Sequence, residues 1–196
     1  MHPNRAFDWT DEGAMLDFVS RQAFATIALP APGVVHAPVV VAGRSILFHV
    51  ARRNRMAERI DGQPIVISVV GRHGYQSANW YVSDNQVPTW HYEAVEIEGV
   101  ARMLDEAALS RQVDALSAAM EARYQPANPW TRDKMVPGRY VAMLRAIVGF
   151  EVPIAAIRGT RKFNQHKDAK DTEATLGGLR AAGLDDVAEA VEELRP

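Results

Sequence analysis

The chain contains no cysteine among its 196 residues. This absence excludes disulfide bonds, thiolate metal sites and cysteine nucleophiles. The chain also has no apolar run near the ~20 residues that a bilayer-spanning helix needs, and its first residues begin no apolar signal-peptide segment. We therefore expect a cytoplasmic protein.

Positive charge is not in excess either. The 22 lysines and arginines are scattered among 24 acidic residues, which gives a formal net charge of −2. Neutralising several DNA phosphates requires a basic patch or stripe, and no helix-turn-helix pattern is visible. Direct DNA binding is therefore not expected. The known patterns of nucleophilic, P-loop and dinucleotide sites are also missing, so we predict no catalytic residue and leave open whether the chain is an enzyme.

The pattern of apolar and turn-forming residues predicts an α+β fold, an antiparallel six-stranded split β-barrel with flanking helices. A hydrophobic fraction of 47% suits a compact domain with a real core. The predicted strands are 24–29, 34–41, 45–50, 65–70, 75–79 and 90–104, and a further buried strand follows at 146–152.

Helices are predicted at 11–22, 55–60, 106–124, 172–182 and 184–194 from helical spacing and capping residues. We therefore divide the chain into a barrel domain over residues 1–170 and a helical C-terminal extension over residues 171–196. The extension could be an arm packed on the barrel or a clasp between two subunits.

The segment 87–99 carries the most information. Its second half alternates apolar and acidic residues, which is typical of a strand with one buried face. Its first half places Pro88 and then Trp90, His91 and Tyr92 where the strand begins. Trp90 and Tyr92 lie two residues apart and so share a face, while His91 points away. Such a cluster either fills the end of a barrel or forms a wall for a flat ligand.

This segment, QVPTWHYEAV at 86–95, closely resembles the PaiB-like family of FMN-binding negative transcriptional regulators. Five further segments resemble that family's landmarks in order: VHAP (35–38), HVARRN (49–54), SANWY (77–81), IVGF (147–150) and KFNQHK (162–167). The resemblance implies a split barrel related to pyridoxamine-phosphate oxidases and flavin reductases. It also implies FMN as cofactor, bound at the subunit interface of a homodimer.

The segment 49–54 is the candidate site for the FMN phosphate. Small and basic residues between a strand and a helix N-terminus offer N–H donors, a favourable dipole and guanidinium groups together. Arg53 and Asn54 are the main candidates, with Ala51 before them, while the directions of Arg52 and Arg55 are open. The alternative is a solvated arginine pair in a loop.

His36 and His49 lie on neighbouring predicted strands. They could be metal ligands, but no third ligand lies at a useful spacing, so we predict no metal site and a hydrogen-bonded role at the mouth of the barrel. The resemblance implies that the strand at 36–38 lines the flavin edge with backbone groups. Pro38 suggests an edge or bulge position there.

The resemblance assigns further residues to the cofactor site. Trp90 and Tyr92 would stack on the flavin and edge it, and Trp80 would close the site or else fill the core. Lys162 and Gln165 would reach FMN from the partner subunit or else belong to an exposed basic loop. The complete predicted set is His36, Pro38, His49, Ala51, Arg53, Asn54, Trp80, Trp90, Tyr92, Lys162 and Gln165.

Two functions remain open at this point. One is a regulator of transcription acting through flavin or a partner, as the family implies. The other is a small flavin-dependent oxidoreductase of unknown substrate, which the absence of a basic DNA-binding face favours. A deazaflavin or haem could also be the planar ligand, because related barrels accept several.

Overall fold

A computed structural model describes residues 2–30 and 33–195. The strands are β1 (Asp8–Trp9), β2 (Phe24–Leu29), β3 (Gly33–Ala42), β4 (Ser45–Ala51), β5 (Pro64–Gln76), β6 (Thr89–Val100), β7 (Arg102–Met103), β8 (Ile147–Pro153) and β9 (Ala156–Lys162). The α-helices are α1 (Glu12–Gln22), α2 (Glu106–Tyr124), α3 (Arg139–Leu144), α4 (Ala169–Ala181) and α5 (Asp185–Glu193).

The strands pair in the order β1-β9-β6-β5-β2-β3-β4-β8-β7. The registered pairs are antiparallel, and helices flank them, so the predicted α+β class is confirmed. The predicted six-stranded barrel is wrong in two respects: the described residues form nine strands, and the order ends at β1 and β7 without closing. The predicted strands 65–70 and 75–79 are one continuous strand, β5, whereas the predicted strand 90–104 is divided into β6 and β7, and β1 and β9 were not predicted.

The chain divides into two compact units. We call residues 16–69 and 96–157 the central unit. The terminal unit is the described part of residues 1–15, 70–95 and 158–196. Within the described residues, no helix is long and apolar enough to cross a bilayer.

The core of the central unit follows from strand alternation. Ile46, Phe48 and Val50 are buried on one face of β4, and Phe48 meets Phe150 of β8 with ring centroids 5.4 Å apart. The helix α2 begins at its N-cap Asp105, whose carboxylate accepts from the Ala108 N–H at 2.7 Å. The helix can approach β8 because position 149 is glycine: a Cβ there would lie 2.7 Å from Leu109 Cδ1.

The terminal unit has a separate core formed largely by its C-terminal helices. Leu176, Leu179, Val187 and Val191 pack with Phe163, and Trp80 lies against them. Gly178 lies inside α4, where glycine costs about 1 kcal/mol relative to alanine. A Cβ at this position would lie 2.3 Å from the Trp80 ring, so the close contact explains the glycine. Whether residues 171–196 form a separate extension stays a prediction.

Candidate functional site

The predicted cofactor residues divide between the two units. The central unit holds His36, Pro38, His49, Ala51, Arg53 and Asn54, and the terminal unit holds Trp80, Trp90, Tyr92, Lys162 and Gln165.

The turn after β4, residues 52–55, is here called the arginine turn. Asn54 shapes it: its N–H donates to the Ala51 carbonyl at 2.8 Å, and its Oδ1 accepts from the Met56 N–H at 2.9 Å. Among the described residues the N–H groups of Arg53 and Arg55 meet no protein acceptor. These two N–H groups are available to an anion, and the Asn54 N–H between them is occupied by the Ala51 carbonyl.

The predicted helix at 55–60 is wrong, because the chain forms only a 3₁₀ turn over Ala57–Arg59. Three residues align too few peptide dipoles to attract an anion strongly. The arginine turn therefore offers individual N–H donors and guanidinium groups, and a helix dipole contributes little.

The structure separates the arginines by their contacts. Arg52 donates from Nε to the Arg145 carbonyl at 2.8 Å and from a terminal nitrogen to the Ile147 carbonyl at 3.0 Å. Its side chain is thus occupied with the backbone. Arg53 and Arg55 are exposed and form no ion pair or hydrogen bond with the described residues.

A cavity of about 580 Å³ lies beside the arginine turn. Its walls combine three small side chains with three guanidinium groups; they are Ala51, Arg52, Arg53, Ala142, Arg145 and Ala146. Short walls leave room for a ligand, and the positive charges favour an anion. Arg145 and Ala142 were not predicted, because they lie roughly ninety residues from Arg53 and nothing in the local pattern marks them.

His49 lies two residues before Ala51 on the same face of β4. Its Nδ1 donates to Gln112 Oε1 at 3.1 Å, and burial lowers its pKa below the ordinary value, so the ring is neutral with Nε2 as an acceptor. Gln112 is only 1% exposed, yet its Nε2 meets no acceptor. A buried amide donor without a partner is costly.

His36 is exposed and its Nδ1 lies 3.1 Å from Thr26 Oγ1. Its ring is nearly parallel to that of Phe24, at 6.5 Å between centroids. Pro38 stands opposite Phe24 at the end of the β2–β3 pairing, and Val39 then pairs with Phe48 of β4. At this point β3 changes its partner strand from β2 to β4. Proline is tolerated there because the residue does not have to donate a backbone N–H to a neighbouring strand. No group of three metal-binding side chains occurs in the described residues.

In the terminal unit Trp90 belongs to an exposed aromatic face, defined here as His73, Tyr75 and Trp90. Trp90 is 50% exposed, stacks on His73 at 6.1 Å and meets Tyr75 edge-on at 6.2 Å. His73 and Tyr75 were missed because the pattern at 71–74 was interpreted as a turn. Tyr92 is half-buried on the same side of β6 as Trp90.

The opposite side of β6 starts a buried polar network, which we call the His91 network. His91 donates from Nδ1 to the Lys162 carbonyl at 3.1 Å, and its Nε2 contacts the Gln76 side chain. Asn164 then links Gln76, at 2.9 Å, to Thr175 of α4, at 3.4 Å. Burial lowers the pKa of His91 to about 4, so the ring is neutral and structural.

Glu93 follows His91 on the buried face, 3% exposed. Its carboxylate lies 3.0 Å from Arg72 Nε and 3.5 Å from Arg161 Nε. The alternation of acidic and apolar residues in 93–98 predicted one buried face but did not indicate that a carboxylate would be on it.

The remaining candidates make contacts inside the terminal unit. Lys162 Nζ donates to Thr89 Oγ1 at 2.6 Å, and burial lowers its pKa. Gln165 is occupied by its own loop: Oε1 accepts from the Phe163 N–H at 2.8 Å, and Nε2 donates to the Arg161 carbonyl at 2.6 Å. Trp80 packs on Gly178.

The antiparallel sheet with flanking helices and the match to a family profile together define the class: flavin-binding proteins of the split-barrel type. The profile of the family described as "Putative FMN-binding domain" matches residues 1–156, and the chain belongs to this family. This match confirms the resemblance found in the sequence. Because the family binds FMN, the cofactor of the chain is a flavin.

Comparison with individual proteins agrees. The chain is 27% identical over 179 residues to "Protease synthase and sporulation protein PAI 2" of Bacillus subtilis, covering 87% of this chain and 85% of that protein. Its fold is similar to the FAD and haem binding protein of Mycobacterium smegmatis (TM-score 0.62, 18% identity, 87% and 80% covered). It is equally similar to the flavocytochrome Anf3 of Azotobacter vinelandii (TM-score 0.62, 14% identity, 88% and 78% covered).

Proposed function

We propose that the chain is an FMN-binding homodimer of the PaiB-like type that regulates transcription through its flavin or a partner protein. The observation that carries FMN binding is the arginine turn, where Arg53, with a guanidinium group and a backbone N–H that meet no acceptor among the described residues, borders a cavity. A phosphate accepts hydrogen bonds from all of these donors. FMN, once bound, supplies the redox chemistry of the isoalloxazine ring.

The proposal assigns the other predicted residues to the remaining parts of FMN. Trp90 offers a half-exposed aromatic surface for a flat ring, with Tyr92 beside it on the strand. Lys162 would place an ammonium group at the start of β6 through its contact with Thr89. The roles of His36, Pro38, His49, Ala51, Asn54, Trp80 and Gln165 toward FMN belong to this proposal.

The homodimer is supported by an exposed apolar face of the central unit. In register across three strands stand Val34, Ala28 and Val66, and Phe24 lies further along β2. Phe24 is 58% exposed and Val34 50%. Contiguous apolar side chains on a sheet suit a protein contact, and a second copy can bury the same face around a two-fold axis.

Regulation is supported by the relative's name, which refers to protease synthesis and sporulation. That name describes the production of other proteins, so the present chain would act on gene expression. The second candidate, a small flavin oxidoreductase, is favoured by the net charge of −2, which leaves little capacity for phosphate contacts with DNA.

The first experiment is absorbance of the purified protein, followed by titration of the apo protein with FMN. We expect quenched flavin fluorescence and a dimer by light scattering. No quenching at micromolar protein and flavin would contradict the proposal, and a monomer that binds flavin would contradict the shared site. Rapid flavin reduction by a nicotinamide donor would favour the oxidoreductase.

A further inference from the structure

We infer that Arg145 is the second arm of a two-arginine phosphate clamp, formed with Arg53 across the cavity beside the arginine turn. The inference rests on the proposed FMN binding and assigns its phosphate specificity to a residue outside every recognisable motif. Both guanidinium groups line the same cavity, although 91 residues separate them in the sequence.

Arg52 explains why Arg53 and Arg145 line one cavity. Its N–H donates to the Ala146 carbonyl at 2.8 Å, while its guanidinium donates to the carbonyls of Arg145 and Ile147. Three hydrogen bonds thus hold the backbone of residues 145–147 beside the turn that carries Arg53. Arg52 is therefore a positioning residue and does not need to touch the phosphate itself.

Arg53 and Arg145 are the members of this group that stay available. Both are exposed, and neither forms an ion pair or side-chain hydrogen bond within residues 2–30 and 33–195. Two unpaired cations beside one cavity repel each other, so a shared anion would stabilise both. A phosphate dianion matches two guanidinium groups in charge, and its oxygens accept from each fork.

The cavity is a half-open depression whose six lining residues are all exposed, and its small side chains leave space beside the arginines. Ala51, Ala142 and Ala146 stand where longer side chains would fill the space between the arginines. The volume of about 580 Å³ exceeds what a phosphate alone requires, so it leaves room for the chain attached to that phosphate. A flavin mononucleotide presents its phosphate at the end of a flexible ribityl chain.

The test compares Arg145→Ala with Arg139→Ala, a matched control at the opposite end of the same helix that does not line the cavity. We expect Arg145→Ala to weaken FMN binding about 10- to 100-fold and to leave riboflavin affinity unchanged. Arg145→Lys should lose less, since it keeps the charge but not the fork. Ala142→Leu should also weaken FMN by filling the space.

A second measurement uses inorganic phosphate and pyrophosphate as probes of thermal stability, without flavin. Stabilisation that disappears in Arg53→Ala and Arg145→Ala, but not in Arg139→Ala, supports the clamp even if FMN does not bind. The clamp is overturned, and the proposed function stands, if FMN binds the wild type, Arg53→Ala weakens that binding, and Arg145→Ala has no more effect than Arg139→Ala. If neither FMN nor phosphate binds the wild type, both are overturned.

Discussion

The arginine turn and the His91 network are both rich in polar side chains, but they differ in how those groups are satisfied. In the network, His91, Gln76 and Asn164 meet one another in the interior. In the turn, the N–H groups and guanidinium of Arg53 face solvent without protein partners. Buried and satisfied groups specify structure, whereas open donors around a cavity indicate a ligand. Substitutions should therefore damage stability in one region and binding in the other.

The largest loss of stability is expected on the buried face of β6. Glu93→Gln removes the charge that faces Arg72 and Arg161, and breaking such a pair should cost about 3 kcal/mol of unfolding free energy. Glu192→Gln is the control, because its pair with Arg180 is exposed and screened by solvent, so its loss should have a much smaller effect. Denaturant unfolding measures both. If both substitutions lowered the free energy of unfolding equally, the buried pair would be no more important for stability than the exposed pair.

His91→Phe should cost about 2 kcal/mol, because it leaves the Lys162 carbonyl and Gln76 without their partner. It should also change the pH dependence. The pKa of His91 is about 4 in the folded protein and ~6.5 when unfolded, so the unfolded chain binds more protons between these values. The contribution of the neutral His91 ring to stability is therefore fully present above pH ~6.5. It is lost as pH falls from about 6.5 to 4, by up to ~1.4 kcal/mol per pH unit.

His73→Phe is the matched control, since His73 is exposed on the aromatic face. His91→Phe should make the slope of stability against pH shallower. The half-buried His49, whose pKa is also lowered by burial, should keep part of the slope. An unchanged slope in His91→Phe would mean that its ring is not the group titrating there.

The comparison also explains what the sequence could predict. The bounds of α2 were predicted because helical spacing and the cap Asp105 are local signals, and β2 and β4 followed from period-2 alternation. The strand β9 was missed because its buried positions are Gly159 and Thr160, which give no apolar alternation. Arg145 was missed because it comes near Arg53 only through the pairing of β4 with β8, which the local sequence does not indicate.

In the arginine turn a substitution should change affinity and leave stability nearly unchanged. Arg53→Ala should weaken FMN binding by about 1.5–3 kcal/mol through loss of a charge-assisted bond. Riboflavin, which lacks the phosphate, should be nearly indifferent. Arg111→Ala on the exposed side of α2 is the control. Equal losses for FMN and riboflavin would show that Arg53 acts on the fold rather than on the phosphate.

The smallest expected effect concerns DNA, to which we expect no specific binding at physiological salt. The chain has a net charge of −2, and phosphate contacts dominate the affinity of proteins for DNA. The strongest contrary feature is the local group of arginines, which a dimer would double: Arg44, Arg52, Arg53, Arg55 and Arg59. However, Arg52 already binds backbone carbonyls, and the proposed FMN phosphate would occupy Arg53.

A mobility-shift assay against the gene's own upstream region, with and without FMN, measures this directly. We expect no shift at about 150 mM salt in the presence of competitor DNA. If a sequence-specific shift appears only without FMN and disappears in Arg53→Ala, the open donors of the arginine turn serve DNA and flavin alternately. In that case the phosphate of FMN would compete with the phosphates of an operator, and the chain would be a direct repressor.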